Sequence, residues 1–221
     1  MIFEDGSCDN TKEILRKLAI QDETLMVHTS PERKGYPRAV KEALVSLDEE
    51  AFDYVLFTDS DGQYDPSDFR KLLGVVERDP SVDIVVGRRI NRAEPLYRVV
   101  LSSGLKSLEK VLFNPSCKDV TSAFRLMKTR VAKSLAGEIR YSGYNFWLEF
   151  TARAAREKYL VKEVPVRYRA RQGASNVYSI RAIPRVVYDE LGAILHTWWD
   201  YEWKGKPKLA GVASAATTRP A

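Results

Sequence analysis

Short apolar runs alternate with segments of helical periodicity along the first part of the chain. The apolar runs have the length of buried strands and lie at residues 24–28, 54–58 and 82–86. Apolar residues recur every three or four positions in the segments around them, at residues 9–20, 37–47 and 66–78. Strands that alternate with helices at this spacing need crossover connections. The pattern therefore predicts an α/β fold, with helices flanking a mainly parallel sheet.

The pattern becomes more helical after residue 92. We predict helices at 96–113, 144–158 and 179–203, a strand at 161–168 and an irregular segment at 117–127. The last residues are rich in Lys, Pro, Ala, Ser and Thr, a composition typical of disorder. Because we find neither an internal repeat nor a linker, we predict one folded domain, large enough to be a catalytic domain, at residues 1–204. We predict a disordered tail at residues 205–221.

Composition narrows the class of protein. The 221 residues are 44% hydrophobic, with 35 basic and 30 acidic side chains and a net charge of +5, which is typical of one globular domain. Cys8 and Cys117 show no CxxC spacing, so we predict no disulfide framework, no zinc site and a reducing compartment. Charged residues interrupt the most apolar C-terminal stretch, at Arg181, Arg185, Asp189 and Glu190. We therefore expect no membrane-spanning helix.

Basic residues are concentrated between residues 151 and 181, a segment that contains eight Lys and Arg residues but only two Glu residues. Such a block is usually a solvated face. It could equally bind an anionic partner, such as nucleic acid, a lipid surface or a phosphorylated substrate.

Carboxylates follow the apolar run at 54–58. Asp59 and Asp61 are two residues apart, so in an extended chain both side chains point the same way, and Gln63 adds a neutral oxygen. Hard oxygen donors without His or Cys favour Mg²⁺ or Mn²⁺, with further ligands from substrate phosphates and water. The alternative is an ordinary solvated turn, because Asp, Ser and Gly are common in loops. We predict a metal site at Asp59, Asp61 and Gln63.

The beginning of the chain repeats this arrangement, with an apolar strand end, carboxylates, a Gly turn and a helix in IFEDGSCDNT. Together with DSDGQYDP, IVVGRR, DVTSAFRLM and EVPVRYRARQGASN, this segment resembles the motifs of family 2 glycosyltransferases with the GT-A fold. The resemblance is greatest to dolichol-phosphate mannose synthases and related polyprenyl-phosphate glycosyltransferases. The segments follow in family order and cover nearly the whole chain.

The resemblance implies a nucleotide-sugar donor at the carboxyl edge of the sheet. Its diphosphate would bridge to Mg²⁺ or Mn²⁺ on Asp59, Asp61 and Gln63. The implied donor-binding residues are Phe3 and Asp5 at the nucleotide, Ser60 along the ribose and phosphate path, and Arg89, Arg171 and Asn176 near the sugar or diphosphate. The implied catalytic residues are Asp61, Arg89 and Arg171. Arg98 and residues 167–171 are weaker candidates for holding the acceptor's phosphate.

The expected function is metal-dependent, inverting transfer of mannose or glucose, from GDP-mannose or UDP-glucose, to dolichyl or undecaprenyl phosphate. A lipid phosphate is already ionised at neutral pH and needs no strong base, whereas an acceptor hydroxyl would. His28 and His196 lie outside the matched motifs, and we interpret them as strand and helix-face residues. The alternatives are transfer to a saccharide hydroxyl, or a non-catalytic regulatory homologue that has lost donor binding.

The expected location is peripheral, on the cytoplasmic face of a membrane, with no nucleic acid partner. Trp198, Trp199, Tyr201 and Trp203, followed by Lys204, Lys206 and Lys208, are typical of an interfacial anchor. They could equally form an intramolecular clamp. A membrane-anchored partner subunit is a further expected route to the bilayer.

Other aromatic and polar residues allow a packing role. Tyr144, Phe146, Trp147 and Phe150 have helical spacing and are predicted to lie in the core. Thr121, Ser122 and Phe124 either shape a loop beside the acceptor or form a packed turn. Asp119 either orients an Arg or a sugar hydroxyl, or it caps a turn.

Three features depart from the family pattern. Relatives carry a strand and helix before the first motif, whereas only Met1, Ile2 and Phe3 precede Glu4 here. We therefore expect either a late start or a gap in the sheet that leaves backbone groups unpaired. Ser175-Asn176 stands where relatives have Ser-Lys, which removes a cation near the diphosphate. Ser103 stands where many relatives have Arg, so the acceptor phosphate would be held differently.

Overall fold

The computed structural model describes residues 1–90, 96–141, 146–169 and 183–203. Its elements, in chain order, are β1 (Ile2–Glu4), α1 (Thr11–Gln21), β2 (Val27–Thr29), α2 (Tyr36–Val45), β3 (Tyr54–Phe57), a 3₁₀ turn (Pro66–Asp68), α3 (Phe69–Arg78), β4 (Ile84–Ile90), α4 (Leu96–Phe113), β5 (Arg125–Lys128), α5 (Thr129–Glu138), α6 (Phe146–Arg156), β6 (Val161–Arg167) and α7 (Ile183–Glu202).

The strands form two sheets. The main sheet has the order β3-β5-β4-β6, in which β5 is antiparallel to β3 and β4, and β6 is parallel to β4. Strands β3, β4 and β6 therefore run in the same direction. A smaller sheet pairs β1 with β2 in parallel. The predicted α/β fold with a mainly parallel sheet is confirmed. Within the described ranges the two sheets share no strand, so β1 and β3 each have one strand partner.

The hydrophobic core belongs to the main sheet and the helices that cover it. Ile84, Val85 and Val86 of β4 have no exposed surface. Phe146 and Phe150 of α6 are equally buried and Trp147 is 1% exposed, so the predicted core role of these aromatics is confirmed. Their partner in that prediction, Tyr144, lies outside the described residues.

Secondary structure differs from the prediction mainly after residue 117. The segment predicted to be irregular ends in β5, and helix α5, which follows, was not predicted. Strand β5 reads Arg-Leu-Met-Lys, so it shows neither an apolar run nor clean alternation, yet Arg125 is buried beside the apolar residues. Because the first residue of β5 is a buried Arg, the hydrophobic pattern does not predict this strand. The predicted tail, residues 205–221, lies outside the described residues.

Helices α6 and α7 end close to their predicted ends at residues 158 and 203, because α6 ends at Arg156 and α7 at Glu202. Their predicted first residues, 144 and 179, lie outside the described residues. Of the helices that the structure describes, none is both long and apolar enough to cross a membrane.

Candidate active site

Asp59, Asp61 and Gln63 lie in the loop that leaves β3 at the carboxyl edge of the main sheet. All three are partly exposed. Asp61 Oδ1 accepts a hydrogen bond from the Gln63 backbone N–H at 3.1 Å, across a turn in which Gly62 has φ +71°. Gln63 Nε2 donates to the Arg169 carbonyl at 3.1 Å, which ties the loop to the chain after β6. The three residues therefore share one accessible loop, which is tied to the chain after β6.

Asp5 is fixed by the turn before α2. The backbone N–H groups of Lys34 and Gly35 each donate to one Asp5 carboxylate oxygen, both at 2.8 Å. Gly35 has φ +89°, a conformation that favours glycine. Gly6 has φ +68°, and a Cβ on it would lie 2.4 Å from the Arg33 nitrogen. The end of β1 thus packs directly on the backbone of the segment before α2.

Tyr36 connects this turn to the predicted metal site. Its hydroxyl donates to Asp59 Oδ1 at 2.8 Å and accepts from Trp147 Nε1 at 2.9 Å. Burial of the hydroxyl and the nearby Asp59 carboxylate raise the pKa of Tyr36. Sequence reasoning missed residues 34–36, because Gly35 and Pro37 signal only a helix start, and the contact with Asp59 spans 23 residues.

Arg89, the second-last residue of β4, forms a buried ion pair. Its guanidinium donates to Asp119 at 2.8 and 2.7 Å and to Thr121 Oγ1 at 2.7 Å. The side chains of Arg89 and Asp119 are 9% and 5% exposed. Burial acts to lower the pKa of Arg89, but Asp119 raises it above its ordinary value. Asp119 therefore orients an arginine, as one of the two interpretations expected.

A buried network fixes the loop that follows Asp119. Arg125 is 1% exposed and donates to the carbonyls of Ser122 and Val120, each at 2.7 Å. Ser122 Oγ donates to the Gly87 carbonyl at 2.6 Å. Tyr64 packs its ring on Phe124, with centroids 5.2 Å apart. The structure thus favours the packed-turn interpretation of Ser122 and Phe124.

Sequence reasoning missed the roles of Arg125 and Tyr64. The only available signal was their place inside the matched motifs, because both act through contacts between segments distant in sequence.

The remaining predicted site residues divide into three groups. Arg171 and Asn176 lie outside the described residues, and so does the side chain of Arg98. Ser60 is exposed on the loop after β3, and Phe3 stacks on His28 with ring centroids 4.5 Å apart. Arg167 and Arg169 are paired with Asp65 at 3.2 and 3.1 Å, so these two members of the basic block bind neighbouring carboxylates.

The aromatics of α7 also divide. Trp198 packs against the core, and the Tyr201 hydroxyl donates to Glu157 at 2.7 Å. Trp199 and Trp203 are 48% and 68% exposed. They stack on each other with centroids 5.1 Å apart. The clamp interpretation therefore fits the first two aromatics, and the second two present an exposed apolar surface.

The donor set fits a hard divalent ion. Asp59 and Asp61 supply carboxylate oxygens and Gln63 an amide oxygen, which suit Mg²⁺ or Mn²⁺ and offer no soft ligand. In the described part of the chain, no three His, Cys, Asp or Glu side chains come together as a metal cluster. Water or a phosphorylated substrate would fill the remaining coordination positions of an ion at this loop.

These features agree with one protein family. Residues 1–136 match the model of glycosyl transferase family 2, and the chain belongs to that family. The protein is thus a glycosyltransferase with the GT-A fold, and the predicted hexosyltransferase class is confirmed.

Two relatives have names that refer to the transfer of a sugar to a lipid phosphate. The polyprenol monophosphomannose synthase of Mycolicibacterium smegmatis is 25% identical over 182 residues, covering 78% of this chain and 67% of the relative. The UDP-N-acetylglucosamine–dolichyl-phosphate N-acetylglucosaminyltransferase of Methanococcus voltae is 24% identical over 217 residues, covering 88% of this chain and 86% of the relative.

A similar solved structure is the glucosyl-3-phosphoglycerate synthase of Mycobacterium tuberculosis with Mn²⁺, UDP-glucose and phosphoglyceric acid. Its TM-score is 0.64 at 16% identity, and the match covers 89% of this chain and 67% of the other. At this identity the likeness shows the fold.

Proposed function

We propose that the protein transfers a hexose, with inversion, from a nucleoside diphosphate sugar to a polyprenyl phosphate in a divalent-metal-dependent reaction. The observation that carries the proposal is the loop of Asp59, Asp61 and Gln63 at the carboxyl edge of the sheet. Ligands of open α/β sheets bind at this edge. The names of the two relatives support a lipid phosphate as acceptor. We propose mannose or glucose as the sugar, and the name of the first relative supports mannose.

The chemistry asks the site to stabilise charge on the departing diphosphate. Mg²⁺ or Mn²⁺, when bound, supplies that stabilisation as a Lewis acid. Asp59, Asp61 and Gln63 would hold the ion, with Asp61 as the carboxylate on which transfer most depends. An ionised lipid phosphate attacks without losing a proton, so the site needs no general base.

The donor would lie between the two sheets' carboxyl ends. Phe3 and Asp5 would contact the nucleotide, and Ser60 would line its ribose and phosphate path. Arg171 and Asn176 would approach the diphosphate or sugar. Since the Arg89 guanidinium is bonded to Asp119 and Thr121, its proposed part is to hold the loop of residues 119–122 beside the donor.

The test of this function is transfer from labelled GDP-mannose and UDP-glucose to dolichyl and undecaprenyl phosphate, with and without Mn²⁺. We expect Asp61→Asn to lose nearly all transfer while it keeps the wild-type circular dichroism, because Asp61 is a loop residue outside the core. Asp22→Asn, in an exposed turn where Asp22 accepts from Thr24, is the matched control and should transfer normally.

Metal-dependent transfer by Asp61→Asn at the wild-type rate would contradict the proposal. Transfer to a saccharide hydroxyl but to no lipid phosphate would replace the acceptor class. Donor binding without any transfer or hydrolysis would favour the non-catalytic alternative.

The lipid acceptor requires the protein to reach a membrane, and we propose peripheral contact with the cytoplasmic face through α7. Leu195, Trp199 and Trp203 lie on one exposed stripe of the helix, and Lys204, Lys206 and Lys208 follow it in sequence. Indole rings favour the headgroup zone, and each lysine near anionic lipid contributes about 1 kcal/mol. A membrane-anchored partner subunit is the alternative route.

Replacing both exposed indoles should weaken this contact. We expect Trp199→Ser with Trp203→Ser to reduce flotation with phosphatidylserine vesicles, and the remaining binding to fall further with salt. Val111→Ser, on an 81% exposed residue of α4, is the matched control and should float like the wild type. Unchanged flotation of the double variant would contradict the α7 contact and favour the partner subunit.

A further inference from the structure

The Tyr36 hydroxyl lies between a carboxylate of the candidate site and a side chain of the core. Its hydroxyl is 2.8 Å from Asp59 Oδ1 and 2.9 Å from Trp147 Nε1, so it joins a proposed metal ligand to the aromatic core. We infer that Tyr36 is a positioning residue that orients the Asp59 carboxylate for the divalent ion of the donor. The inference rests on the proposed function, since it assigns Tyr36 a task at that same site.

The direction of the two hydrogen bonds follows from their chemistry. An indole N–H can only donate, so Trp147 occupies a lone pair of the Tyr36 oxygen. The single hydroxyl proton of Tyr36 is then directed to Asp59. Trp147 is 1% exposed and has ring contacts with Phe57, Phe146 and Phe150, so the donor that sets this direction is itself immobilised by packing.

The orientation of Asp59 therefore depends on the core rather than on the loop alone. The side chain of a loop carboxylate loses conformational freedom when it binds a cation, and a hydrogen bond formed beforehand removes part of that cost. Tyr36 thus should act on the affinity for the metal and not only on the stability of the fold.

The same turn also fixes Asp5, the proposed nucleotide contact. The backbone N–H groups of Lys34 and Gly35, two residues and one residue before Tyr36, each donate to one oxygen of Asp5. The turn therefore sets Asp5, from the small sheet, at a fixed distance from Asp59, from the main sheet. A change at Tyr36 releases one of these two connections and leaves the other intact.

The test measures binding of Mn²⁺ alone, from the electron paramagnetic resonance signal of the free ion. Tyr36→Phe removes one oxygen and keeps the ring, and we expect a loss of affinity of about tenfold, the lower end of the range for a lost outer-shell partner. Tyr54→Phe, at the other end of β3, is the matched control and should bind as the wild type does. Asp59→Asn and Asp61→Asn should abolish binding.

A second variant separates orientation from mere presence of the hydroxyl. Trp147→Phe keeps the Tyr36 oxygen and removes the indole donor, so we expect a smaller loss of Mn²⁺ affinity than for Tyr36→Phe. The thermal unfolding midpoint of each variant, measured without metal, reports the structural effect by itself.

The outcomes distinguish the two hypotheses. If Tyr36→Phe binds Mn²⁺ like the wild type while Asp59→Asn does not, the inference is wrong and the metal site stands. The same holds if the unfolding midpoint of Tyr36→Phe falls but its affinity does not. If the wild type binds no Mn²⁺, or if Asp59→Asn and Asp61→Asn bind it equally well, both the inference and the proposed metal site fail.

Discussion

The two sheets contribute to the protein in different ways. In the main sheet, Ile84, Val85 and Val86 are completely buried, whereas helix α1 beside the small sheet buries none of its residues. Ile14 and Leu18 of α1 are 54% and 44% exposed. The small sheet nevertheless supplies Asp5 to the candidate site. The stability of the fold thus resides in one sheet, while the site draws on both and is connected by polar contacts of residues 34–36.

The largest expected difference in stability between the main sheet and the small sheet concerns a buried charge. We expect Arg89→Ala to lower the free energy of unfolding by about 3–5 kcal/mol, because it removes the cation of a buried ion pair. Lys17→Ala, in α1, removes an ion pair with Glu13 whose side chains are 69% and 61% exposed, and should change stability by at most about 1 kcal/mol. Urea denaturation of both variants measures the difference, and equal losses would contradict the assignment of stability to the main sheet.

A matched pair of leucines tests the same difference without charge. Leu72 of α3 has no exposed surface, so Leu72→Ala should cost about 2–5 kcal/mol through lost burial and the cavity left behind. Leu18→Ala in α1 should stay within about 0.5 kcal/mol, as expected for a surface substitution. Urea midpoints at equal slope provide the measurement. A comparable cost at Leu18 would show that α1 is packed against something in solution.

The smallest expected effect is a pH dependence at Asp68, in the 3₁₀ turn before α3. Burial acts to raise the pKa of Asp68, but hydrogen bonds from the Arg167 backbone N–H and from Lys71 hold it below its ordinary value. A lowered pKa in the folded state stabilises the fold above the unfolded pKa of about 4, and this contribution is lost as pH falls through the folded value.

Asp68→Asn should therefore destabilise the protein by about 1.5–3 kcal/mol at pH 7, the range for hydrogen bonds to a charged group. The difference from the wild type should shrink below pH 4. Thermal unfolding midpoints at pH 3 and pH 7 check this, and a difference that is independent of pH would show that the charge of Asp68 contributes nothing.

Much of the candidate site was predictable because its residues lie in short local motifs. Asp59, Asp61 and Gln63 follow an apolar strand, and Asp5 precedes a Gly turn, so the sequence alone places them at strand ends. Strand β5 and helix α5 were not predictable in the same way. Strand β5 begins with Arg125. Its guanidinium donates to two carbonyls and to the Thr151 hydroxyl and lies over the Trp147 ring, and the fold brings all of these partners to it.

Alternating periodicity and motif spacing are local properties of the chain, so they were enough to predict the α/β class, the family and the acidic loop at the edge of the main sheet. Three features could be found only in the folded molecule: the pairing of Arg89 with Asp119, the division of the α7 aromatics into packed and exposed, and the contact of Tyr36 with Asp59. Each of these depends on which distant segments pack together. A polar side chain's partner is set by the position of the backbone around it, and that position depends on how distant segments pack in the fold.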